Sequence, residues 1–283
     1  MACIGIFDSG VGGLSVLKEI LRLLPGERFI FFADNAWCPY GEKSRSFILE
    51  RSRAITERLI AEGADIIVIA CNTATAAAIS TLRQEYGQDN GRVEALSGGR
   101  RRHIRFIGME PAVKPAALGT HSGVIGVLAT AGTLASSKYL DVKGMYDKDV
   151  RIIEHAGCGF VELVEAGRLS GADTEEIIRR SMEPILREGA DTVVLGCTHY
   201  PFLLDSLRKV AADIAPGREI RFIDPAPAVA RQLVKVMDED GLQKEADTRP
   251  GCPPDVKLKS SGNPDALLRT YPLISGGNHI PNR

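Results

Sequence analysis

The chain has 283 residues, 44% of them hydrophobic, with 35 Lys and Arg set against 36 Asp and Glu. That length and apolar content suffice for one large core or two domain-sized ones. A net charge near zero supplies no field to draw the molecule onto nucleic acid or a membrane surface, so a small-molecule substrate is the expected partner.

The opening residues, MACIGIFDSG, carry no basic stretch, and no apolar run approaches the length of a bilayer span. A cytoplasmic protein with no membrane partner is therefore expected. Six cysteines (Cys3, Cys38, Cys71, Cys158, Cys197 and Cys252) stand far apart without CxxC spacing. This argues against a disulfide scaffold and against a metal site, and predicts thiols in a reducing compartment.

Short apolar runs rich in β-branched residues occupy 3–7, 29–33, 65–70, 105–108, 124–128, 150–153, 192–195 and 220–223, with helix-period segments between them. That alternation predicts an α/β fold of open, largely parallel sheets. Phe47, Ile48, Ile55, Leu59 and Ile60 mark one helix face, and Ile177, Ile178, Met182, Ile185 and Leu186 another. Asp173 with Glu176 reads as the capping-box start of the second of these helices.

Residues 88–103, QDNGRVEALSGGRRRH, are polar and Gly-rich and read as an exposed loop. Its Arg100, Arg101 and Arg102 are expected to be a solvated charge run, with no nucleic-acid partner. Towards the end, 245–255 reads as a loop, 256–262 as a strand with its turn, 263–271 as a short capped helix and 275–283 as a disordered tail.

An internal repeat organises the chain: EGADIIVIACNT at 62–73 aligns with EGADTVVLGCTH at 188–199, and IGIFDSG at 4–10 with IGVLATA at 125–131. Two similar α/β halves related by pseudo-symmetry follow. Ligands of open parallel sheets bind beyond the carboxyl ends of the strands, so each half offers its cysteine where a ligand sits. Halves that face one another would place the active site in the cleft between them, flanked by two thiols.

Cys71 and Cys197 each follow a buried strand and precede a predicted helix, whose N-terminus favours thiolate and so fits both as proton-transfer bases. One cysteine beside an apolar strand is more often a small core residue. The repeated setting, with Asn72, Thr73 and Thr198 alongside, points instead to function. Thr73 and Thr198, with the amides of the following turns, can hold a carboxylate or serve as ordinary helix N-caps.

Asp8 ends the first strand and leads into the glycine-rich turn SGVGG, while its repeat counterpart Ala129 is uncharged. Neither a P-loop lysine nor GxGxxG spacing accompanies that turn, which weakens a nucleotide-binding reading. His199 lies two residues beyond Cys197, placed either to bond the thiol or the substrate or only to cap backbone at the strand end; a lone C-x-H offers too few ligands for a metal. In DNAWCPYG at 34–41, Pro39 and Gly41 predict a tight turn with Tyr40 reaching outward, a loop that either walls the cleft or only closes the strand-to-helix connection.

These residues resemble the glutamate racemase family, within the aspartate/glutamate racemase superfamily, over nearly the whole chain. The resemblance rests on FDSGVGGLS from Phe7, PYGEK from Pro39, ACNTAT from Ala70, ATxGTxxSxxY from Ala129 and GCTHYP from Gly196. It implies interconversion of L- and D-glutamate without cofactor or metal, supplying D-glutamate for bacterial peptidoglycan.

Carried over by position, Cys71 and Cys197 are the acid/base pair, assisted by Asp8 and His199. Glu165 matches the family's acidic residue, although FVELVEAG also reads as an amphipathic turn with Glu162 and Glu165 on its exposed side. Substrate contacts fall on Asp8, Ser9, Tyr40, Gly41, Asn72, Thr73, Thr130, Thr198 and His199. The domains implied are 1–104 plus 214–283, and 105–213, in a homo-oligomer expected to be a dimer.

The chain departs from the family at Cys158-Gly159, where Cys-Pro is usual, at Trp37-Cys38, and in the basic loop around Arg101. Three readings compete with it: an aspartate racemase or related isomerase; an acyl transferase with Cys197 as nucleophile and His199 as base; and a non-catalytic carboxylate-binding module.

Overall fold

The computed structural model describes residues 1–242 and 254–275; most of the loop expected at 245–255, with Cys252, and the tail after Ser275 lie outside them. The strands are β1 (Cys3–Asp8), β2 (Arg28–Ala33), β3 (Ile66–Ile69), β4 (Arg105–Gly108), β5 (Val124–Ala129), β6 (Arg151–Ala156), β7 (Thr192–Gly196), β8 (Arg221–Ile223) and β9 (Asp255–Ser260). The helices are α1 (Leu14–Leu23), α2 (Arg45–Ala61), α3 (Asn72–Tyr86), α4 (Gly91–Leu96), α5 (Val113–Gly119), α6 (Ala131–Leu134), α7 (Ser137–Gly144), α8 (Phe160–Glu165), α9 (Ala172–Arg187), α10 (Leu204–Ile214), α11 (Ala226–Glu239) and α12 (Asp265–Ser275).

Two parallel sheets result, one ordered β4-β3-β1-β2-β9 and the other β6-β5-β7-β8. Read from β2, the first runs β2-β1-β3-β4, the same order as β6-β5-β7-β8, with β9 added at its edge. The sequence repeat is thus a repeat of topology. β1, β3 and β7 are buried along their whole length, which is why they read as unbroken apolar runs rather than alternating ones.

The chain divides into Met1–Met109 with Ala226–Arg283, and Glu110–Pro225. These limits differ from those expected at 104/105 and 213/214. β4 bonds to β3 and so stays with the first unit, and β8 bonds to β7 and so stays with the second. Phe7, Ile67, Ile69, Leu59 and Leu82 belong to a core cluster of the first unit, and Ile125, Val127, Val194 and Tyr139 to one of the second.

The segment at 88–103 is not a plain loop. Asn90 caps α4 by accepting from the Val93 N–H at 3.0 Å, and Val93 is buried. Arg100 donates to the carbonyls of Gly63 and Ile60 at the end of α2, and Arg101 pairs with Asp65 at 2.9 Å. Two of the three arginines therefore complete a helix end and an ion pair, and only Arg102 stays mostly exposed. Nor does Asp173 cap α9: the chain enters that helix through Gly171 at φ +108°, without a side-chain cap, and Asp173 lies inside the first turn.

Gly63 and Gly189 occupy equivalent breaks after α2 and α9 at φ +111° and +95°, conformations that L side chains rarely adopt. Each leads to an aspartate that ties down the neighbouring chain. Asp65 accepts from the Cys3 N–H at 2.8 Å. Asp191 accepts from the N–H groups of His121 and Ser122, both at 2.7 Å, and from the Thr120 hydroxyl at 2.6 Å.

Burial pushes the Asp191 carboxyl up, but those donors outweigh it and hold it down at about 2. A carboxyl depressed in the folded state adds stability above its unfolded value near ~4 that is lost as the pH falls through about 2. Discounted for solvent screening, Asp191→Ala is expected to cost roughly 1–2 kcal/mol at pH 7. Urea denaturation should show that gap closing as the pH is lowered from about 4 towards 2; a gap independent of pH would refute the assignment.

Candidate active site

In the first unit the chemistry gathers at the carboxyl ends of β1 and β3. Asp8 is fully buried; its Oδ1 accepts from the Ser9 N–H at 2.7 Å and its Oδ2 from the Gly13 N–H at 2.5 Å. Gly13 is required there, because a Cβ would stand 2.7 Å from the Cβ of Asp8. Cys71, 5% exposed, is the N-cap of α3, and its sulfur accepts from the Ala74 N–H at 3.4 Å. An amide aimed at sulfur from the start of a fifteen-residue helix favours thiolate.

The Cys71 thiol donates to Ser9 Oγ at 3.7 Å, and Ser9 Oγ in turn donates to Asp8 Oδ1 at 3.3 Å. This chain of groups can carry a proton from sulfur towards a carboxylate. Beside it the Asn72 side-chain nitrogen is buried with no hydrogen-bond acceptor. A buried donor of that kind is expensive unless a ligand completes it. Thr73 lies in the first turn of α3, so the expected N-cap role belongs to Cys71 instead.

Tyr40 does not reach outward. It is 1% exposed, and its hydroxyl donates to Asp34, a fully buried carboxylate. Burial, the Asp34 charge and the nearby Cys71 push the phenol well above its ordinary range, so it keeps its proton. The hydroxyl expected at the surface is therefore engaged inside the first unit.

In the second unit the equivalent strand end, that of β7, carries Cys197, 7% exposed. Its sulfur lies 3.7 Å from His199 Nδ1, and His199 Nε2 lies 2.8 Å from Glu165 Oε1. His199 is 1% exposed, so the imidazole is held between thiol and carboxylate. Glu165, at the end of α8, thus turns inward to His199 while Glu162 stays exposed. The amphipathic-turn alternative holds for Glu162 alone.

Cys197 does not head an α-helix as expected. A short 3-10 turn, Tyr200–Leu203, intervenes before α10, and Thr198 caps no helix. The histidine, rather than a helix terminus, is the close partner of this sulfur. Thr130 caps α6, accepting from the Thr133 N–H at 3.2 Å.

Sequence reasoning missed Asp34 and Arg51, which form a bidentate ion pair, and Tyr200, fully buried with its hydroxyl on the Gly157 carbonyl at 3.4 Å. Burial pushes the Tyr200 phenol well up, reinforced by nearby Cys197 and Cys158. Only its place in GCTHYP marks Tyr200 in the sequence. Among the described residues the five cysteines are free thiols, and no helix is long and apolar enough to cross a membrane.

Each half therefore presents a buried thiol backed by a relay ending in a carboxylate. The chain as a whole is matched by known proteins. A family model described as Asp/Glu/Hydantoin racemase matches residues 4–233. The chain is 45% identical over 275 residues to a glutamate racemase of Ectopseudomonas mendocina, spanning 97% of this chain and 95% of that one. It is 42% identical over 262 residues to a glutamate racemase of Roseiflexus sp., spanning 93% and 88%. The crystal structure of Escherichia coli glutamate racemase in complex with L-glutamate and the activator UDP-MurNAc-Ala is similar at a TM-score of 0.77 and 30% identity, covering 97% and 95% of the two chains. With the model spanning most of the sequence and relatives of this identity aligned nearly end to end, the chain belongs to the Asp/Glu/hydantoin racemase family.

Proposed function

We propose that the chain interconverts L- and D-glutamate by proton transfer at Cα between Cys71 and Cys197, without a cofactor. The observation that carries this reading is that equivalent strands, β3 and β7, end in a buried thiol in each unit. Inversion needs a base for one face of the stereocentre and an acid for the other, and two thiols supply both. Relatives at 42–45% identity, named glutamate racemases, favour glutamate over aspartate as substrate.

In the proposed reaction one thiolate takes the Cα proton and the other thiol returns a proton to the opposite face. The enzyme then holds its proton on the first sulfur, ready for the reverse reaction. Ser9 and Asp8 back Cys71, and His199 and Glu165 back Cys197. Asn72 Nδ2 and the first amides of α3 are the proposed donors to a substrate carboxylate. Thr73, Thr198, Thr130 and the Tyr40–Gly41 backbone complete the contacts. The D-glutamate formed would feed bacterial peptidoglycan.

The test is circular dichroism of L-glutamate and of L-aspartate incubated with the purified chain, with chelator and no added cofactor. Loss of the glutamate signal to zero is expected. Racemisation of aspartate alone would reject the substrate, and dependence on an added cofactor would reject the mechanism. The Cys197–His199–Glu165 arrangement also suits acyl transfer, but that chemistry gives no task to Cys71 and its relay.

A further inference from the structure

Arg51 reaches from α2 into the loop after β2 and closes a network around the buried Asp34 carboxylate. Its Nε donates to Asp34 Oδ2 at 2.9 Å and its Nη2 to Oδ1 at 2.7 Å, while the Tyr40 hydroxyl donates to the same Oδ2. The Asp34 N–H donates to the Asp8 carbonyl at 2.9 Å, and the Asp34 carbonyl accepts from the Trp37 N–H at 3.0 Å. One aspartate therefore joins the end of β1 to the whole 34–41 segment.

The guanidinium also lies 5.7 Å from the centre of the Trp37 ring, which packs edge-on against Phe47 at 5.3 Å. Arg51 thus grips the segment twice, by a planar fork and by an aromatic face. The turn Tyr40–Glu42 packs against α3, the helix that Cys71 caps. Without the cation, Asp34 would be a buried unpaired charge that must draw in water or leave its place, and Tyr40 would move with it.

We propose that Arg51 is a positioning residue for the reaction: acting through Asp34, it fixes Tyr40 and Gly41 beside Cys71 and so sets the wall against which the substrate is held. The inference rests on the glutamate reading above. The influence of Arg51 passes through the Asp34 carboxylate to the Tyr40 phenol.

A double-mutant cycle tests it. Arg51→Met and Asp34→Asn are each expected to lower kcat for glutamate racemisation about 10- to 100-fold, the scale of a misplaced reacting group, with KM changed less than about 3-fold. The double variant should be no slower than the worse single, because both remove one linkage. Additive losses, or a native kcat in Arg51→Met, would overturn the proposal.

Should the methionine variant not fold, Arg51→Lys keeps the charge but cannot form the fork. It should remain at least about 5-fold slow, and a native rate there also overturns the idea. Trp37 is the chain's only tryptophan, so intrinsic emission reads the segment directly. The spectrum should change in both Arg51 variants, and identical spectra would refute the grip. Absence of racemisation by the native chain would reject the glutamate reading itself, leaving the emission spectra to judge Arg51 independently.

Discussion

Serine at position 71 or at position 197 is expected to lower glutamate racemisation by at least about 10³-fold, within the range that a single acid–base group supplies. A hydroxyl is far too weak an acid to stand as its anion in either place, and each half-reaction needs its own sulfur. The two losses should nevertheless differ in kind. An analogue with a leaving group on Cβ needs only the first proton transfer to eliminate, so each variant should still process one enantiomer of it and not the other. Full racemisation by either variant would remove the two-thiol scheme. Normal turnover of an acyl donor by Cys71→Ser, with an acyl group trapped on Cys197, would replace it.

The second large effect concerns the imidazole. His199→Asn should lower kcat/KM about 100-fold, because the Cys197 proton loses its route to Glu165. Glu165→Gln should cost about 10-fold, since it leaves the ring in place while removing the charge that steadies it. Enantiomers have equal free energies, so kcat/KM must fall equally in both directions, and rates alone cannot show which thiol is affected. Isotope effects can. With α-deuterated substrates, His199→Asn should enlarge the primary effect for the enantiomer whose proton Cys197 removes, and diminish it for the other, for which delivery of a proton by Cys197 becomes the slower step. Equal enlargement for both would detach His199 from Cys197.

Much of this was legible because strand ends and the repeat are local properties. The pairs Gly63/Gly189 and Cys71/Cys197 lie at fixed offsets from buried strands, so aligning the sequence with itself placed them correctly. What escaped was set by contacts between distant positions. Arg51 and Asp34 are seventeen residues apart on different elements, and no periodicity joins them. Tyr40 looked free to extend until the buried Asp34 claimed its hydroxyl. Residues 88–103 read as a loop because their Gly and Arg content hid a short capped helix and two arginines with structural partners. Cys197 seemed to mirror Cys71 fully, yet one is backed by a helix start and a serine and the other by an imidazole.

The strand β9 joins the first sheet from the far end of the chain, bonding along β2 from Arg28–Asp255 to Ala33–Ser260. During biosynthesis β2, with its RFIFFA sequence, emerges long before the strand that finally pairs with it. The intervening Glu110–Pro225 unit is continuous and can finish folding meanwhile. Until the ribosome delivers Asp255, one flank of an almost wholly apolar strand stands open to strangers. The later-made strand thus guards the solubility of the earlier one, and a chain stopped between the two would be born sticky.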